Sequence, residues 1–171
     1  FGYGRSSSGQ AGLTAGSIAI QFYEAGYAKA GLSDITSNSE SGLTASTAYE
    51  FDIGVDGGTT FDNLSFTTDS SNLKFGGSTG IIAKIQSALN TQYYTAGNLF
   101  EKKVTVGLEG GDIVFRSGSY LSTSAIAIGA GSSGVAEFLG TGRIPAAFTS
   151  IDARLETDKV YDPITDLSLI H

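Results

Sequence analysis

The chain has 171 residues, 40% of them hydrophobic and 16% charged, with a formal net charge of −7. That is enough apolar material for one core, and the acidic balance repels phosphates, so direct binding of nucleic acid is not expected. Cys is absent, which removes disulfides and thiolate metal sites, and no apolar run approaches the ~20 residues that a membrane-crossing helix needs. Low charge offset by abundant Gly, Ser and Thr points to a β-rich α+β domain with many turns, not a helical bundle.

Residues 1–12, FGYGRSSSGQAG, form a Gly/Ser-rich lead-in of the kind that lies on a surface or links bodies. The chain contains no Met and opens directly in this Gly/Ser-rich segment, where no signal-peptide pattern is read, so the expectation is a chain processed at its N-terminus or, the favoured reading, a piece of a longer polypeptide. Ile18, Ile20 and Phe22 alternate with Ala19, Gln21 and Tyr23, which predicts one strand with a buried face. Residues 33–46 are rich in Ser, Thr, Asn and Gly and read as a loop. Residues 1–47 are therefore expected to be an N-terminal arm with one strand.

A regular unit follows over residues 48–142. Tyr49, Phe51, Ile53 and Val55 share one face of a strand, while Glu50, Asp52, Gly54 and Asp56 share the solvated face. Asp56-Gly57-Gly58 turns the chain, and Leu64 and Phe66 mark the returning strand. Ser78 or Thr79 is positioned to cap a helix with Ile81, Ile82, Ile85, Ala88 and Leu89 on one stripe. Val104, Val106 and Leu108 then alternate, Gly110-Gly111-Asp112 turns, and Ile113 and Phe115 return, with a further strand near Ser124–Ile128. The order is ββ-α-ββ-β: antiparallel hairpins with one helix packed on the sheet. From Arg143 to His171 no period is sustained, so residues 143–171 are expected to be an extended C-terminal arm.

None of the chemistry-bearing patterns assembles into a catalytic set. Gly129-Ala130-Gly131-Ser132-Ser133-Gly134 matches GxGxxG, but a dinucleotide site needs a long helix directly after it and a βαβ unit around it. Only Val135–Leu139 separates this loop from Gly140, so a plain Gly/Ser turn is the expectation. Asp52, Asp56, Asp62 and Asp69 are close in sequence and carry the oxygen ligands Ca²⁺ prefers. Their spacing is not that of a Ca²⁺ loop, and Asp52 and Asp56 lie about 13 Å apart in an extended strand, so solvated carboxylates are expected; a Ca²⁺ ion between subunits is left open. His171, the lone His, ends the sequence, a poor place for a rigidly oriented imidazole. Acids are numerous enough for a two-carboxylate glycosidase, but Trp is absent and the acids sit in turns and on strand surfaces. Asn63-Leu64-Ser65 is a formal glycosylation triplet inside a predicted strand. Tyr93, Tyr94 and Phe100 follow the helix as core or as an inter-subunit contact. The expectation is no enzyme, and no catalytic, cofactor-binding or metal residues.

The segments YEFDIGVDGGTTFDNLSFTTDSS, IIAKIQSALNTQYYTAGNLFEKKVTV and LSTSAIAIGAG, within Tyr49–Gly131, resemble virion structural proteins of tailed bacteriophages. More distantly, the strand ending in VDGG, the helix IIAKIQSALN, the Gly-turned hairpin and SAIAI before a Gly-rich loop resemble the ββαββ insert modules of flagellins and hook-associated proteins. The resemblance implies a structural subunit of an extracellular virion: a capsid decoration, neck, tail or fibre component. Such a subunit assembles as a homo-oligomer with copies of itself and other virion proteins, without nucleic acid, membrane or cofactor as partner. The competing expectations are a subunit of an extracellular or flagellar-type filament, and an adhesive carbohydrate-binding module presenting Tyr on an exposed loop. No functional residues carry over from the resemblance.

Overall fold

The computed structural model describes residues 23–57, 60–93 and 104–155. In chain order the elements are β1 (Tyr23–Glu24), β2 (Tyr27–Lys29), β3 (Ala48–Val55), β4 (Asp62–Thr67), α1 (Ile81–Tyr93), β5 (Val104–Glu109), β6 (Asp112–Ser117), β7 (Ile126–Ala130), β8 (Ala136–Glu137), β9 (Thr149–Ile151) and β10 (Arg154–Leu155). The protein is α+β and β-rich, with antiparallel hairpins and, among the described residues, one helix, as composition and periodicity indicate. Of the strand expected from Ile18 to Tyr23 only Tyr23, in β1, is described; its other residues, the lead-in, Tyr94, Phe100 and His171 lie outside the described residues.

β3 is the spine of the first sheet. It pairs antiparallel with β4 from Ala48↔Thr67 to Ile53↔Asp62 on one edge. On its other edge it pairs antiparallel with β7 from Phe51↔Ala130 to Val55↔Ile126, then parallel with β8 at Tyr49↔Ala136 and Glu50↔Glu137. The chain leaves β7, loops outward over residues 131–135 and returns to the same edge in the opposite sense. Tyr49, Phe51 and Ile53 point into the core as their alternation predicts. Glu50 does not match expectation: it is 1% exposed, because the 131–135 loop folds over its side of the strand.

The second sheet has the order β5-β6-β2-β9, all neighbours antiparallel. The β5–β6 turn is Gly110-Gly111, with φ of 59° and 84°. Two successive left-handed residues match the twist of the flanking strands, and Gly adopts them without Cβ strain. The further strand predicted near Ser124–Ile128 is β7, shifted two residues toward the C-terminus. Residues 143–155, expected as the root of an arm, carry β9 and β10; β9 pairs with β2 and β10 with β1. These pairings join residues more than 100 positions apart, which no local period encodes.

The free edges of the two sheets are tied together. Ser150 Oγ of β9 donates to the Ile126 carbonyl of β7 at 2.6 Å. The helix links the remaining edges: Tyr93 Oη donates to Asp62 Oδ2 at the start of β4 (2.8 Å), and Gln86 serves β5. Gln86 Nε2 donates to the Val104 carbonyl (3.2 Å) while Gln86 Oε1 accepts from Val106 N–H (2.8 Å), so one side-chain amide serves the edge of β5 that no described strand pairs with. An exposed row of unpaired backbone groups is a site for unwanted strand pairing, and here side chains cover it. Gln86→Ala leaves both β5 groups without this partner and is expected to cost about 1–2 kcal/mol, read as a lower urea midpoint with faster amide exchange at Val106.

Ile81, Ile85, Leu89 and Tyr93 form the buried stripe of α1, with Ile82 and Ala88 at its margin. The predicted cap is corrected. Gly80 occupies the N-cap, its carbonyl accepting from Lys84 N–H, and Ile81 and Ile82 N–H donate to the carbonyls of Lys74 and Phe75. Neither Ser78 nor Thr79 is needed, because the preceding chain folds back as a backbone cap. A Cβ at position 80 would lie 2.1 Å from the Gly76 carbonyl oxygen, so only Gly fits. In the core a train of rings runs Tyr49–Phe66–Phe138–Phe51–Phe115–Phe148, each pair 5.4 to 6.2 Å apart between centroids. Phe51 joins the rings of the first sheet to those of the second.

Candidate functional site

The feature closest to a binding site is the loop that matches GxGxxG. Successive N–H groups at residues 133–135 converge, an arrangement that ordinarily holds an anion. The anion is Glu50. Its Oε1 accepts from Gly134 N–H (2.9 Å) and Val135 N–H (3.1 Å), and its Oε2 from Ser133 N–H (3.2 Å), Ser133 Oγ and Asn63 Nδ2 (3.2 Å). Gly131 makes this possible, since a Cβ there would sit 2.2 Å from Glu50 Cγ. Both carboxylate oxygens are occupied from within the chain.

The hydroxyl of Ser133 is the largest influence on Glu50 and, with Asn63 and the N–H groups of Gly134 and Ser133, holds its carboxyl below the usual range against the opposing effect of burial. A depressed pKa means that the folded state favours the charged form. The stabilisation is therefore complete above the ordinary value of 4.5 and disappears as pH falls through the lower folded value. Glu50→Gln places an amide NH₂ where donors already point. The variant is expected to be less stable than wild type at pH 7, with the gap closing below about pH 4.5; parallel urea titrations across pH 3–7 check it, and a gap that does not change with pH refutes the cage.

The same device recurs. Asp112 Oδ1 and Oδ2 accept from the N–H groups of Leu32 and Gly31, both at 3.0 Å, fastening the turn after β2. Glu137 accepts from Gly131 and Leu139 N–H (2.8 and 3.1 Å), closing the other side of the 131–135 loop. Asp69 Oδ1 accepts from Asn72 N–H, Ser71 N–H and Ser71 Oγ; these bonds, that of Asn72 first, hold its carboxyl below the usual range.

The four Asp residues weighed as a Ca²⁺ cluster are each used separately. Asp52 Oδ1 accepts from Asn63 Nδ2 and Ser132 Oγ, Asp56 Oδ1 from Ser117 Oγ, Asp62 from Tyr93, and Asp69 from its own turn. Asp62 and burial, burial first, push the Tyr93 phenol above its usual range, and its ring belongs to the core. Asn63, the first residue of the glycosylation triplet, has its amide committed to Glu50 and Asp52. Among the described residues no group of three or more His, Cys, Asp or Glu is arranged to hold a metal ion.

A few large apolar side chains are exposed among the described residues. Tyr120 is 70% and Leu121 59% exposed at the tip of the β6–β7 loop, and Phe61 is 49% exposed. Phe61 is explained by its neighbours: a Cβ at Gly54 or Gly129 would lie 3.4 or 3.7 Å from its ring, so the ring shields two backbone positions without side chains. Sequence reasoning missed Glu50; the available signal was an acid facing Asn63 and Ser65 mid-strand in a chain with a Gly/Ser loop in need of an anion. No protein-family model, no curated protein and no solved structure matches this chain.

Proposed function

We propose that the chain is a non-enzymatic structural subunit of a viral particle of the tailed-phage kind, working by assembly with copies of itself and other virion proteins. The observation that carries this reading is how the polar groups are used. Glu50, Glu137, Asp112 and Asp69 accept the N–H groups of loops and turns, so the acids stiffen a body instead of standing free around a cleft. No buried side-chain nitrogen or oxygen among the described residues lacks a partner. A stiff body with a closed polar interior and an apolar loop tip suits a part that is stacked in many copies. The resemblance of Tyr49–Gly131 to phage structural proteins points the same way.

Mass photometry of the full chain over a range of concentrations, with co-sedimentation on purified phage particles, tests it. Discrete oligomers or particle association are expected. A protein that stays monomeric and never sediments with particles refutes it. Exposure of Tyr120 favours one second reading, an adhesive carbohydrate-binding module with an aromatic platform; binding on a glycan array that is lost in Tyr120→Ala would establish that reading, and an array without hits removes it.

A further inference from the structure

The outward face of the first sheet carries a trough between an aromatic ring and a loop. Glu50, Asp52 and Gly54 alternate along β3 on this face, and Asn63 of β4 and Gly129 of β7 flank Asp52 in register. Strands about 4.8 Å apart make that row a floor roughly 10 Å wide. At one end Phe61 lies over Gly54, where a Cβ would meet its ring at 3.4 Å. At the other end the 131–135 loop closes over Glu50. Asp52 is two residues along the strand, about 7 Å, from Gly54 and from Glu50. Gly129 ties the floor to the ring: its Cβ position is 3.7 Å from Phe61 Cε1 and 4.0 Å from Asp52 Cβ.

The polar groups of this floor are oriented from within the chain. Asn63 Nδ2 donates to Glu50 Oε2 (3.2 Å) and to Asp52 Oδ1 (2.7 Å), which commits both amide hydrogens and fixes the way the amide faces. Ser132 Oγ also donates to Asp52 Oδ1 (3.2 Å). Asp52 Oδ2 and Asn63 Oδ1 have no partner among the described residues, and both can only accept. Phe61, 49% exposed, adds an apolar surface.

We propose that this trough binds one pyranose ring of a neutral saccharide, with the C–H face of the sugar on Phe61 and its hydroxyls donating to Asp52 Oδ2 and Asn63 Oδ1. Ligand sites of this kind join an aromatic wall to a few fixed polar groups, and carbon-bound hydrogens suit the negative face of the ring. The charges select the ligand. Glu50, Asp52 and Glu137, which accepts the Gly131 N–H, are the ionisable groups of the floor and loop, and neither contains Lys or Arg. Anions are therefore repelled. A point cation needs one carboxylate, not a second, uncharged acceptor held beside it, whereas neighbouring hydroxyls serve both oxygens. The inference goes beyond assembly and does not depend on it, and it puts the sugar on the sheet face, not at the Tyr120 tip.

Saturation-transfer NMR on the full chain, with EDTA present, tests the methyl glycosides of glucose, galactose, mannose and N-acetylglucosamine singly, with N-acetylneuraminic acid and tetramethylammonium as charged comparators. Transfer to the ring C–H protons of at least one neutral glycoside is expected. Phe61→Leu keeps apolar cover over Gly54 and Gly129 without the ring, and Asp52→Asn keeps an acceptor for Asn63 and Ser132 while replacing the outer oxygen with a donor. Each is expected to weaken binding roughly tenfold at an unchanged melting temperature, and Tyr120→Ala is expected to bind as wild type does. No transfer to any neutral glycoside, stronger binding of either charged comparator, or wild-type binding by Phe61→Leu or by Asp52→Asn overturns the site. Loss of binding in Tyr120→Ala alone overturns it in favour of the loop tip.

Discussion

Phe51→Ala is expected to lower the unfolding free energy by about 4 kcal/mol, the upper part of the range for removing a buried ring. Phe51 is fully buried, 5.6 Å from the Phe138 ring and 5.6 Å from the Phe115 ring. Those two contacts lie on opposite sides of the core: Phe138 follows β8 in the first sheet, and Phe115 belongs to β6 in the second. The rings meet at 61° with Phe115 and 46° with Phe138, tilted contacts that favour edge against face. Truncation removes the middle of the ring train, and the space cannot close easily because β3 is held on both edges by β4 and β7. In a body of this size the loss corresponds to a fall in melting temperature of roughly 12 °C. The urea midpoint drops with the slope unchanged if the native state keeps its compactness. Phe51→Leu, which keeps much of the volume, is expected to cost under about 1.5 kcal/mol. Equal losses for the two variants would mean that the sheets do not meet through this ring.

How far the sequence discloses this structure depends on distance along the chain. The β3–β4 and β5–β6 hairpins are legible because period-two alternation and Gly turns lie within 20 residues of one another. The helix is legible because Ile81, Ile85 and Leu89 repeat at helical spacing. β2 is only three residues long, too short to show a period, yet it holds β6 and β9 together. Its place follows from partners at Phe115 and Ser150, and nothing in YAK announces them. The helix cap differs from the local pattern for a related reason. Ser78 and Thr79 fit a local cap, but the Gly residues at 76 and 80 allow the backbone of Lys74 and Phe75 to approach and satisfy the same N–H groups. Polar satisfaction is a property of the folded neighbourhood, and a linear pattern lists only candidates for it.

The candidate site shows the same limit. The GxGxxG match correctly marks a loop whose N–H groups converge, and reading it as an ordinary turn leaves the converging groups without a partner. That partner lies more than 80 residues away in β3, on a residue that alternation assigns to solvent. Acidity in this chain is thus partly internal: carboxylates that add to its solubility also close its loops.

Gly131→Ala is expected to be nearly as damaging as loss of the central ring, by about 3 kcal/mol, although it adds a single methyl group. At this position the methyl would meet Glu50 Cγ at 2.2 Å, Cδ at 2.6 Å and Oε1 at 2.8 Å. A side chain can usually swing away from such a contact. Glu50 cannot do so without releasing the N–H groups of Ser133, Gly134 and Val135, and those groups then stay buried or open the loop to water. Opening the loop also loosens β8, whose two residues pair with Tyr49 and Glu50, and the Phe138 N–H bond to the Glu50 carbonyl beyond it. The damage thus spreads from one glycine into the ring train. Two measurements separate this account from ordinary loss of backbone freedom. Amide exchange at residues 133–135 is expected to accelerate more than at β5 and β6. The acid-side loss of stability traced to Glu50 is expected to flatten, because its carboxylate no longer has the partners that hold its pKa down. A Gly131→Ala protein with wild-type stability and an unchanged acid limb would show that the loop does not depend on the carboxylate inside it.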